Sequence, residues 1–372
     1  MIPRLWLPLA ALLALPACSL FSHTPPVKTR SFGLRRDGTP ATLWILRSGD
    51  VEATVTDHGA TLVSLSFQDR IGQSADVLLG FDDVSGYESD RNQYFGCTTG
   101  RVCNRIKNGS FLLDGFDHQL AINNPPNHLH GGGERSFDKV FWQGRASNEG
   151  GVPKVVFTYR SPDGEEGYPG MLDVKVTYSM PSEGELRIDY EAVADRNTPV
   201  NLTNHAYFNL QGQGSPSIGG HELQIFAERY TATDDTMIPT GVIAKVAGTP
   251  IDFREPTAIG LRLDSLTGTA AKGYDHNYVL SGSGMKKAAV LYEPKSGREV
   301  AIATTEPGLQ FYSGNFLFGQ SGKGAAKYAH RSGLCLETQH FPDAVNQETF
   351  PSIVLKKGEV FRSTTVLSVT AR

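Results

Sequence analysis

The sequence predicts an all-β protein, a large antiparallel sandwich with few short helices. Forty glycines and 21 prolines make up about 16% of the 372 residues, above the usual level of about 12%, which favours many turns. Apolar and polar residues alternate in many short runs, and this is the period of a half-buried strand. We find no amphipathic helical pattern longer than about three turns and no fixed-period repeat.

The strongest strand signal is a hairpin at 171 to 194. Apolar residues occupy every second position from Leu172 to Met180 and again from Leu186 to Ala192, with the turn sequence Pro-Ser-Glu-Gly between them. The dipeptide Asp114-Gly115 predicts a tight turn inside the apolar run at 111 to 121. Further strand-like runs lie at 42 to 47, 51 to 56, 61 to 67, 154 to 160, 222 to 227, 288 to 293, 298 to 303 and 361 to 369.

The N-terminus has the pattern of an export signal. Arg4 precedes an apolar run from Leu5 to Leu15, which is too short for a membrane-spanning helix. Leu-Pro-Ala-Cys at 15 to 18 resembles a bacterial lipobox, with Cys18 as the lipidation candidate, and ordinary cleavage nearby is the alternative. We therefore predict an export signal at 1 to 18, a tether at 19 to 31, a single domain at 32 to 372, and a periplasmic or membrane-anchored location.

Charge, cysteine content and missing motifs exclude several classes of function. With 35 Lys and Arg against 39 Asp and Glu, the net charge is −4, which gives no reason to expect a nucleic-acid partner. Three cysteines follow Cys18, namely Cys97, Cys103 and Cys335, and a Cys97–Cys103 disulfide is left open. The phosphate-binding glycine loops and the serine-nucleophile elbow are absent from the sequence, so nucleotide-driven and α/β-hydrolase chemistry have no sequence support.

His128 and His130 are the first candidates for chemistry. Their spacing places both rings on one face of an extended segment, and a metal site would need a third ligand such as His205 or Glu337. In the alternative, His128 packs against the turn that follows two prolines while His130 alone faces a cleft. We favour the alternative and predict no metal site, because nothing in the sequence specifies the third ligand.

His205 and Glu337 are the best candidates for an acid and a base. Each adjoins an apolar segment, and partial burial moves the pKa values of an imidazole and a carboxyl group in opposite directions toward a common range. Asn104, Arg105, Asp275 and Gln310 lie in other polar clusters, and their hydrogen-bonding groups suit a ligand with many hydroxyls.

These clusters resemble signature segments of the aldose 1-epimerases, or galactose mutarotases. The segments are Gly-Arg-Val-x-Asn-Arg at 100 to 105, Pro-Asn-x-Leu-His-Gly-Gly at 126 to 132, Ser-Pro-Asp-Gly-Glu-Glu-Gly-Tyr-Pro-Gly at 161 to 170, Asn-Leu-Thr-Asn-His at 201 to 205, Asp-His-Asn at 275 to 277, Pro-Gly-x-Gln-Phe-Tyr-x-Gly-Asn at 307 to 315 and Cys-Leu-Glu-Thr-Gln at 335 to 339. All seven occur in order, and the resemblance extends from about residue 32 to the C-terminus.

The resemblance implies a β-supersandwich of the galactose mutarotase type that interconverts the anomers of free aldohexoses without a cofactor. It implies that His205 is the general acid on the ring oxygen, that Glu337 is the general base on the anomeric hydroxyl, and that His130 assists at the ring oxygen. Asn104, Arg105, Asp275 and Gln310 would then bind the sugar hydroxyls. Cys103 stands where the family commonly has alanine, and an export signal is unusual in this family.

Two other functions stay open at this point. A hexose 6-phosphate epimerase would need a cationic pocket, for which Arg101, Arg105 and Lys107 are close in sequence. A non-catalytic carbohydrate-binding module would have no need for both His205 and Glu337. The preferred sugar and the oligomeric state are not indicated by the sequence.

Overall fold

The computed structural model describes residues 27–372, and the predicted export signal with Cys18 lies outside them. The described chain is almost entirely β-structure. Its one α-helix, α1, spans Val84–Tyr87, and short 3₁₀ turns occur at Lys107–Gly109, Glu149–Gly151, Glu165–Gly167, Ile259–Leu261, Leu263–Leu266, Lys323–Ala325 and Ala344–Asn346. The predicted all-β class with few short helices is confirmed.

The N-terminal sheet has five antiparallel strands in sequence order: β1 (Lys28–Leu34), β2 (Pro40–Ser48), β3 (Val51–Thr56), β4 (Thr61–Gln68) and β5 (Ser74–Asp76). The predicted runs at 42 to 47, 51 to 56 and 61 to 67 correspond to β2, β3 and β4. Residues 28 to 31, which we assigned to a tether, begin β1 and pair with β2. Exposed polar residues in this edge strand hid it from the sequence pattern.

The largest sheet has nine strands. Its order is β11 (Gln143–Ser147), β12 (Lys154–Ser161), β13 (Leu172–Ser179), β14 (Glu185–Ala194), β30 (Val360–Ala371), β24 (Arg298–Thr304), β23 (Lys286–Tyr292), β18 (Glu222–Ile225) and β21 (Thr257–Ala258). The predicted hairpin is β13 and β14, paired from Leu172 with Ala194 to Ser179 with Arg187. Alternate residues of β14 are buried, as the sequence period requires.

The third large sheet has six strands. Its order is β17 (Tyr207–Phe208), β28 (Leu334–Gln339), β25 (Gly308–Tyr312), β22 (Asp275–Val279), β19 (Arg229–Thr233) and β20 (Pro239–Lys245). Every residue of β25 and β28 is buried. One face of these strands packs Leu309, Phe311 and Leu336 into the main hydrophobic core, which also contains side chains of the other two sheets.

The remaining strands form two-stranded ribbons. They are β6 (Thr98–Thr99) with β16 (Thr203–Asn204), β7 (Arg105–Ile106) with β10 (His128–Leu129), β8 (Ser110–Leu113) with β9 (Phe116–Gln119), β15 (Thr198–Pro199) with β29 (Val354–Leu355), and β26 (Gln320–Ser321) with β27 (Lys327–Tyr328). Asp114 and Gly115 join β8 to β9, both with positive φ, which confirms the predicted tight turn. Among residues 27–372 no helix is long and apolar enough to cross a membrane.

Candidate active site

A cleft of about 190 Å³ opens beside the six-stranded sheet. Three groups of elements supply its walls: the strands β22, β25 and β28, the ribbon of β7 and β10, and the turns beside β6 and β16. Its lining residues are Gln93, Tyr94, Asn104, Arg105, Leu129, His130, His205, Tyr207, Asp275, Tyr312, Phe316 and Glu337. Six of the seven predicted site residues line this cleft, although they come from segments more than 200 residues apart.

The sheet itself supplies Glu337 and Asp275. In the register of the sheet Gln310 lies opposite Glu337, and Asp275 lies opposite Tyr312, so these side chains project from one face. Gln310, the seventh predicted residue, sits behind the lining, where its amide donates to Asp275 Oδ1 at 2.5 Å. These three residues of the predicted polar clusters thus lie in strands, on a polar face of the sheet.

His130 is aimed into the cleft by a left-handed turn. His130, Gly131 and Gly132 all have positive φ, and a Cβ on Gly131 would lie 1.6 Å from the carbonyl oxygen of Gly100, so this position requires glycine. The Asn104 N–H donates to His130 Nδ1 at 3.1 Å, and the His130 N–H donates to the Asn104 carbonyl at 3.0 Å. Since Nδ1 accepts, the neutral ring carries its proton on Nε2 and presents a donor to the cleft.

His128 takes a structural role. It is fully buried, with Nδ1 2.7 Å from the Ala121 carbonyl oxygen and Nε2 2.7 Å from the Tyr168 hydroxyl. Both ring nitrogens are thus occupied away from the cleft. The favoured interpretation, in which His128 packs and His130 alone faces the cleft, is confirmed, because the left-handed turn at His130 breaks the alternation of an extended strand.

His205 and Glu337 form a buried imidazole–carboxylate pair. Their side chains are 5% and 3% exposed, and His205 Nε2 lies 3.7 Å from Glu337 Oε1. The strand pairing of β16 with β6, together with a hydrogen bond from His205 N–H to the Cys97 carbonyl, fixes the imidazole side of the pair. The other carboxylate oxygen, Oε2, has no hydrogen-bond partner in the described chain and is free to meet a ligand.

Burial controls the protonation of this pair. It lowers the pKa of His205 to about 4. Burial, with Asp275 nearby, raises the pKa of Glu337 well above its usual value, while Arg105 acts in the opposite direction. The pKa of His130 is well below its ordinary value because of burial and the nearby His205 and Arg105. The cleft therefore holds neutral imidazoles and a carboxyl group that gains a proton readily.

Aromatic rings complete the cleft, and the sequence had not predicted them as site residues. The rings of Tyr94 and Tyr207 stack on His205 at centroid distances of 5.6 and 5.1 Å. Tyr312 and Phe316 stack on each other at 6.3 Å. Tyr312 lies in a quoted signature segment and was available as a signal, whereas no local pattern marks Tyr94.

The donor chemistry of the cleft does not suit a metal ion. His130, His205 and Glu337 offer ligand atoms within 4.8 Å of one another. A metal-binding imidazole ordinarily donates its second N–H to an acceptor. The second nitrogen of His130 faces the Asn104 N–H, which is a donor. A metal at His130 Nε2 would place two donors against each other, so we derive no step through a metal.

Arg101 and the three cysteines do not line the cleft, although Cys335 Sγ lies 3.5 Å from His205 Nδ1 behind it. The Arg101 guanidinium is buried and donates to Ser161 Oγ and to the carbonyls of Ser161, Pro162, Pro169 and Gly170. Cys97, Cys103 and Cys335 are buried and free, so the disulfide left open by the sequence is not formed. The Arg101 guanidinium is therefore used in hydrogen bonds that stabilise the fold, and Arg105 is the cation in the cleft lining.

A larger depression of about 700 Å³ lies on the nine-stranded sheet. Its charged side chains pair with one another, Arg160 with Asp173 and Lys175 with Glu191, and they are largely exposed. Exposed, compensated charges are typical of a solvated sheet face. We therefore place the functional site in the smaller cleft. Fold and cleft together define an all-β protein with a buried acid–base site for a small, hydroxyl-rich ligand.

The chain belongs to the aldose 1-epimerase family, whose model matches residues 42–368. It is 48% identical over 322 residues to a galactose mutarotase from Bos taurus, covering 86% of this chain and 91% of the bovine protein. It is 38% identical to an aldose 1-epimerase from Escherichia coli K12, with coverage of 89% and 96%. The solved galactose 1-epimerase from Lactobacillus acidophilus superposes with a TM-score of 0.80 at 28% identity, covering 93% and 99% of the two chains.

Proposed function

We propose that this protein is an aldose 1-epimerase that binds a free aldohexose in the cleft and interconverts its α and β anomers. The observation that carries the proposal is the buried His205–Glu337 pair, whose reactive atoms are 3.7 Å apart. The ring oxygen and the anomeric hydroxyl of a sugar share one carbon atom. An acid and a base that act on these two oxygens must therefore lie close together, as this pair does.

The reaction follows from the positions of the protons. In the reactive form the single proton of the pair lies on His205 Nε2 and Glu337 is ionised. Glu337 removes the proton of the anomeric hydroxyl while the His205 imidazolium donates its Nε2 proton to the ring oxygen, and the ring opens to the aldehyde. The bond between the first two carbons rotates. His205 then takes back the proton, Glu337 returns its proton to the carbonyl oxygen, and the ring closes as the other anomer. The pair ends in its starting state.

The surrounding residues hold the sugar. His130 Nε2–H supplies a hydrogen bond to the ring oxygen side. Arg105, Asn104 and Asp275 face the cleft and bind hydroxyls. Gln310 acts through Asp275, because its amide donates to that carboxylate and its Oε1 has no partner in the described chain.

The two alternative functions have less support. A hexose 6-phosphate needs several cations at one end of the cleft. Arg101 is buried and donates to backbone carbonyls, so it cannot contribute to such a site. A binding module has no use for a buried imidazole and carboxylate at 3.7 Å, since burying both groups costs free energy that only catalysis requires.

Replacing Glu337 tests the proposal. Glu337→Gln keeps the shape of the side chain and removes the base, so we expect anomer interconversion to fall at least about 10²-fold. Polarimetry on α-D-glucose and α-D-galactose, with the spontaneous rate subtracted, measures the effect. The matched control is Glu306→Gln, in a second buried pair where Glu306 Oε2 lies 2.6 Å from His340 Nδ1 outside the cleft lining. Equal rates in Glu337→Gln and wild type would remove Glu337 from the mechanism.

We further propose that the protein is exported and anchored to a membrane by lipid on Cys18. The apolar run from Leu5 to Leu15 and the lipobox-like sequence support this proposal. Expression of the full chain in a bacterium, followed by membrane fractionation, tests it. We expect wild type in the membrane fraction and Cys18→Ala outside it; a soluble wild type with its signal removed would indicate simple cleavage, and an intact N-terminus would exclude export.

A further inference from the structure

Strand β28 contacts both ring nitrogens of His205. Its residue Cys335 places Sγ 3.5 Å from His205 Nδ1, and Glu337, two residues further along, places Oε1 3.7 Å from Nε2. Residues two apart in a strand project from the same face of the sheet. The imidazole is therefore held against one face of a single strand, with a thiol at one ring nitrogen and a carboxyl group at the other.

The sheet holds Cys335 behind the imidazole. Cys335 is the second residue of β28, where it lies opposite Tyr207 of β17 and Tyr312 of β25. It is fully buried, and it does not line the cleft. Among the described residues, its sulfur is the one side-chain partner within hydrogen-bonding distance of His205 Nδ1. Cys335 can therefore act on the imidazole without touching a sugar in the cleft.

The sulfur at this position is a neutral thiol. Burial, together with Glu337 and Asp275 nearby, raises the pKa of Cys335 well above its ordinary value. A thiol either donates or accepts a weak hydrogen bond. The direction of the bond between Sγ and Nδ1 therefore depends on which ring nitrogen of His205 carries the proton.

Proton transfer within the catalytic pair determines that direction. The single proton of the pair lies either on Glu337 or on His205 Nε2. It moves between them only if Nε2 of the neutral imidazole is bare, and the neutral ring then carries its own proton on Nδ1. This Nδ1–H faces Cys335 Sγ, so the sulfur accepts. The same hydrogen bond is present in the imidazolium and after the ring of the sugar has opened.

A thiol differs from the carboxylate that often accompanies a catalytic imidazole. A carboxylate at Nδ1 stabilises the imidazolium by its negative charge. A neutral sulfur orients the ring but is only a weak acceptor, so it adds little to the proton affinity of the ring. His205 therefore stays a strong acid toward the ring oxygen, in agreement with its pKa of about 4.

We propose that Cys335 is a positioning residue for His205, whose sulfur accepts the Nδ1–H bond and thereby selects the tautomer with a bare Nε2 directed at Glu337. This inference rests on the proposed function, because it takes His205 as the general acid. Cys335 acts through His205 and makes no contact with the sugar.

Kinetics of two variants test this role. Cys335→Ala leaves the Nδ1–H without an acceptor, so we expect kcat for glucose to fall about 10-fold while KM stays within about 2-fold of wild type. Cys335→Ser keeps an acceptor at this position, and its kcat should stay within about 3-fold of wild type. Polarimetry at several glucose concentrations gives both constants.

The matched control is Cys103→Ala. It removes another buried, free thiol, whose Sγ lies 3.4 Å from Gln339 Oε1 and does not contact the imidazole. We expect its kcat to equal that of wild type. Equal losses in Cys335→Ala and Cys335→Ser, a higher KM with unchanged kcat, or the same loss in Cys103→Ala would overturn the positioning role.

The tautomer of His205 is measured without turnover. Nitrogen NMR of protein with isotopically labelled histidines distinguishes a protonated from a bare ring nitrogen, and His205→Asn identifies the signals of this residue. At neutral pH we expect wild type to carry the proton on Nδ1, and Cys335→Ala to give a mixture with the Nε2–H form.

This measurement separates the inference from the catalytic proposal. Wild-type His205 with a proton on Nε2 and a bare Nδ1 would overturn the inference even if the protein is an active epimerase. An inactive protein whose His205 carries Nδ1–H, and loses this preference in Cys335→Ala, would support the contact with the sulfur and remove the proposed function.

Discussion

At the level of single residues, the cleft reverses the usual order of the proton affinities of His205 and Glu337. In water a carboxyl group holds its proton about two pH units less tightly than an imidazole. Burial lowers the pKa of His205 to about 4 and raises that of Glu337 well above its usual value. A single proton in this pair therefore favours Glu337, and the reactive form, with His205 protonated and Glu337 ionised, is the other arrangement of the same proton.

The pH dependence of kcat/KM follows from this pair. The active pair carries one proton; falling pH adds a second proton, and rising pH removes the only one when it passes the raised pKa of Glu337. Because the pKa of His205 is about 4, we expect kcat/KM to stay level from that pH up to the raised pKa of Glu337. It should then fall about 10-fold per pH unit below about 4. Polarimetry from pH 3.5 to 8, corrected for spontaneous mutarotation, gives the profile, and an acid limb near pH 6.5 would contradict the effect of burial on His205.

At the level of elements, one signature segment proves to be a support for the cleft. The segment at 161 to 170 closes the end of β12, where its carbonyl oxygens surround the Arg101 guanidinium. Tyr168 bonds to His128, and Glu166 accepts the N–H groups of Gly133 and Arg135. These contacts hold the turn that carries His130. A motif that contributes no residue to the cleft lining therefore still determines the position of a lining residue.

Arg101 should therefore contribute strongly to stability. Arg101→Met removes all five of its hydrogen bonds and leaves buried carbonyl oxygens unpaired, and we expect the free energy of unfolding to fall by at least about 3 kcal/mol. Urea denaturation measures the loss. Arg160→Met is the matched control, since Arg160 forms an exposed ion pair with Asp173 and should cost less than about 1 kcal/mol. Similar losses in the two variants would show that the buried contacts add little.

At the level of the whole molecule, the fold buries several titratable side chains, both imidazoles and carboxyl groups. Burial lowers the pKa values of four imidazoles, those of His58, His205, His221 and His276, to about 4. The unfolded chain binds protons at these positions near pH 6.5, so the stability that they contribute is complete above pH 6.5 and is lost as pH falls toward 4. Raised pKa values at Asp275 and Glu337 act in the opposite direction.

His221 isolates this effect outside the cleft. It is buried, and its Nε2 accepts the Leu210 N–H at 2.9 Å. As pH falls from 6.5 toward 4, the free energy of unfolding of wild type should decrease by about 1.4 kcal/mol per pH unit relative to that of His221→Gln. The reason is that only wild type must then bury a neutral imidazole. Urea denaturation at pH 7, 6 and 5 measures this slope. A stability difference that is constant with pH would show that His221 titrates alike in the folded and unfolded chain.

The sequence was informative for strands in which apolar and polar residues alternate clearly. The hairpin of β13 and β14 and the strands β2 to β4 follow the alternation of apolar and polar residues, which is a local property. Strands β22, β25 and β28 were missed, because both of their faces are buried and one of them is polar. Leu309 and Phe311 alternate with Gln310 and Tyr312, as Leu334 and Leu336 do with Cys335 and Glu337, so a weaker signal was present.

The types of residue in the cleft were readable from the chain, since His130, His205, Glu337, Asn104, Arg105 and Asp275 all stand in polar segments with a recognisable order. Their arrangement in space could not be predicted from the sequence. The pairing of Gln310 with Glu337, the 3.7 Å between His205 and Glu337, and the aromatic wall from Tyr94 to Phe316 join parts of the chain that are remote in sequence. Local patterns record which face of a strand is apolar, whereas the approach of distant side chains, and the burial that sets their pKa values, depend on how the sheets pack together.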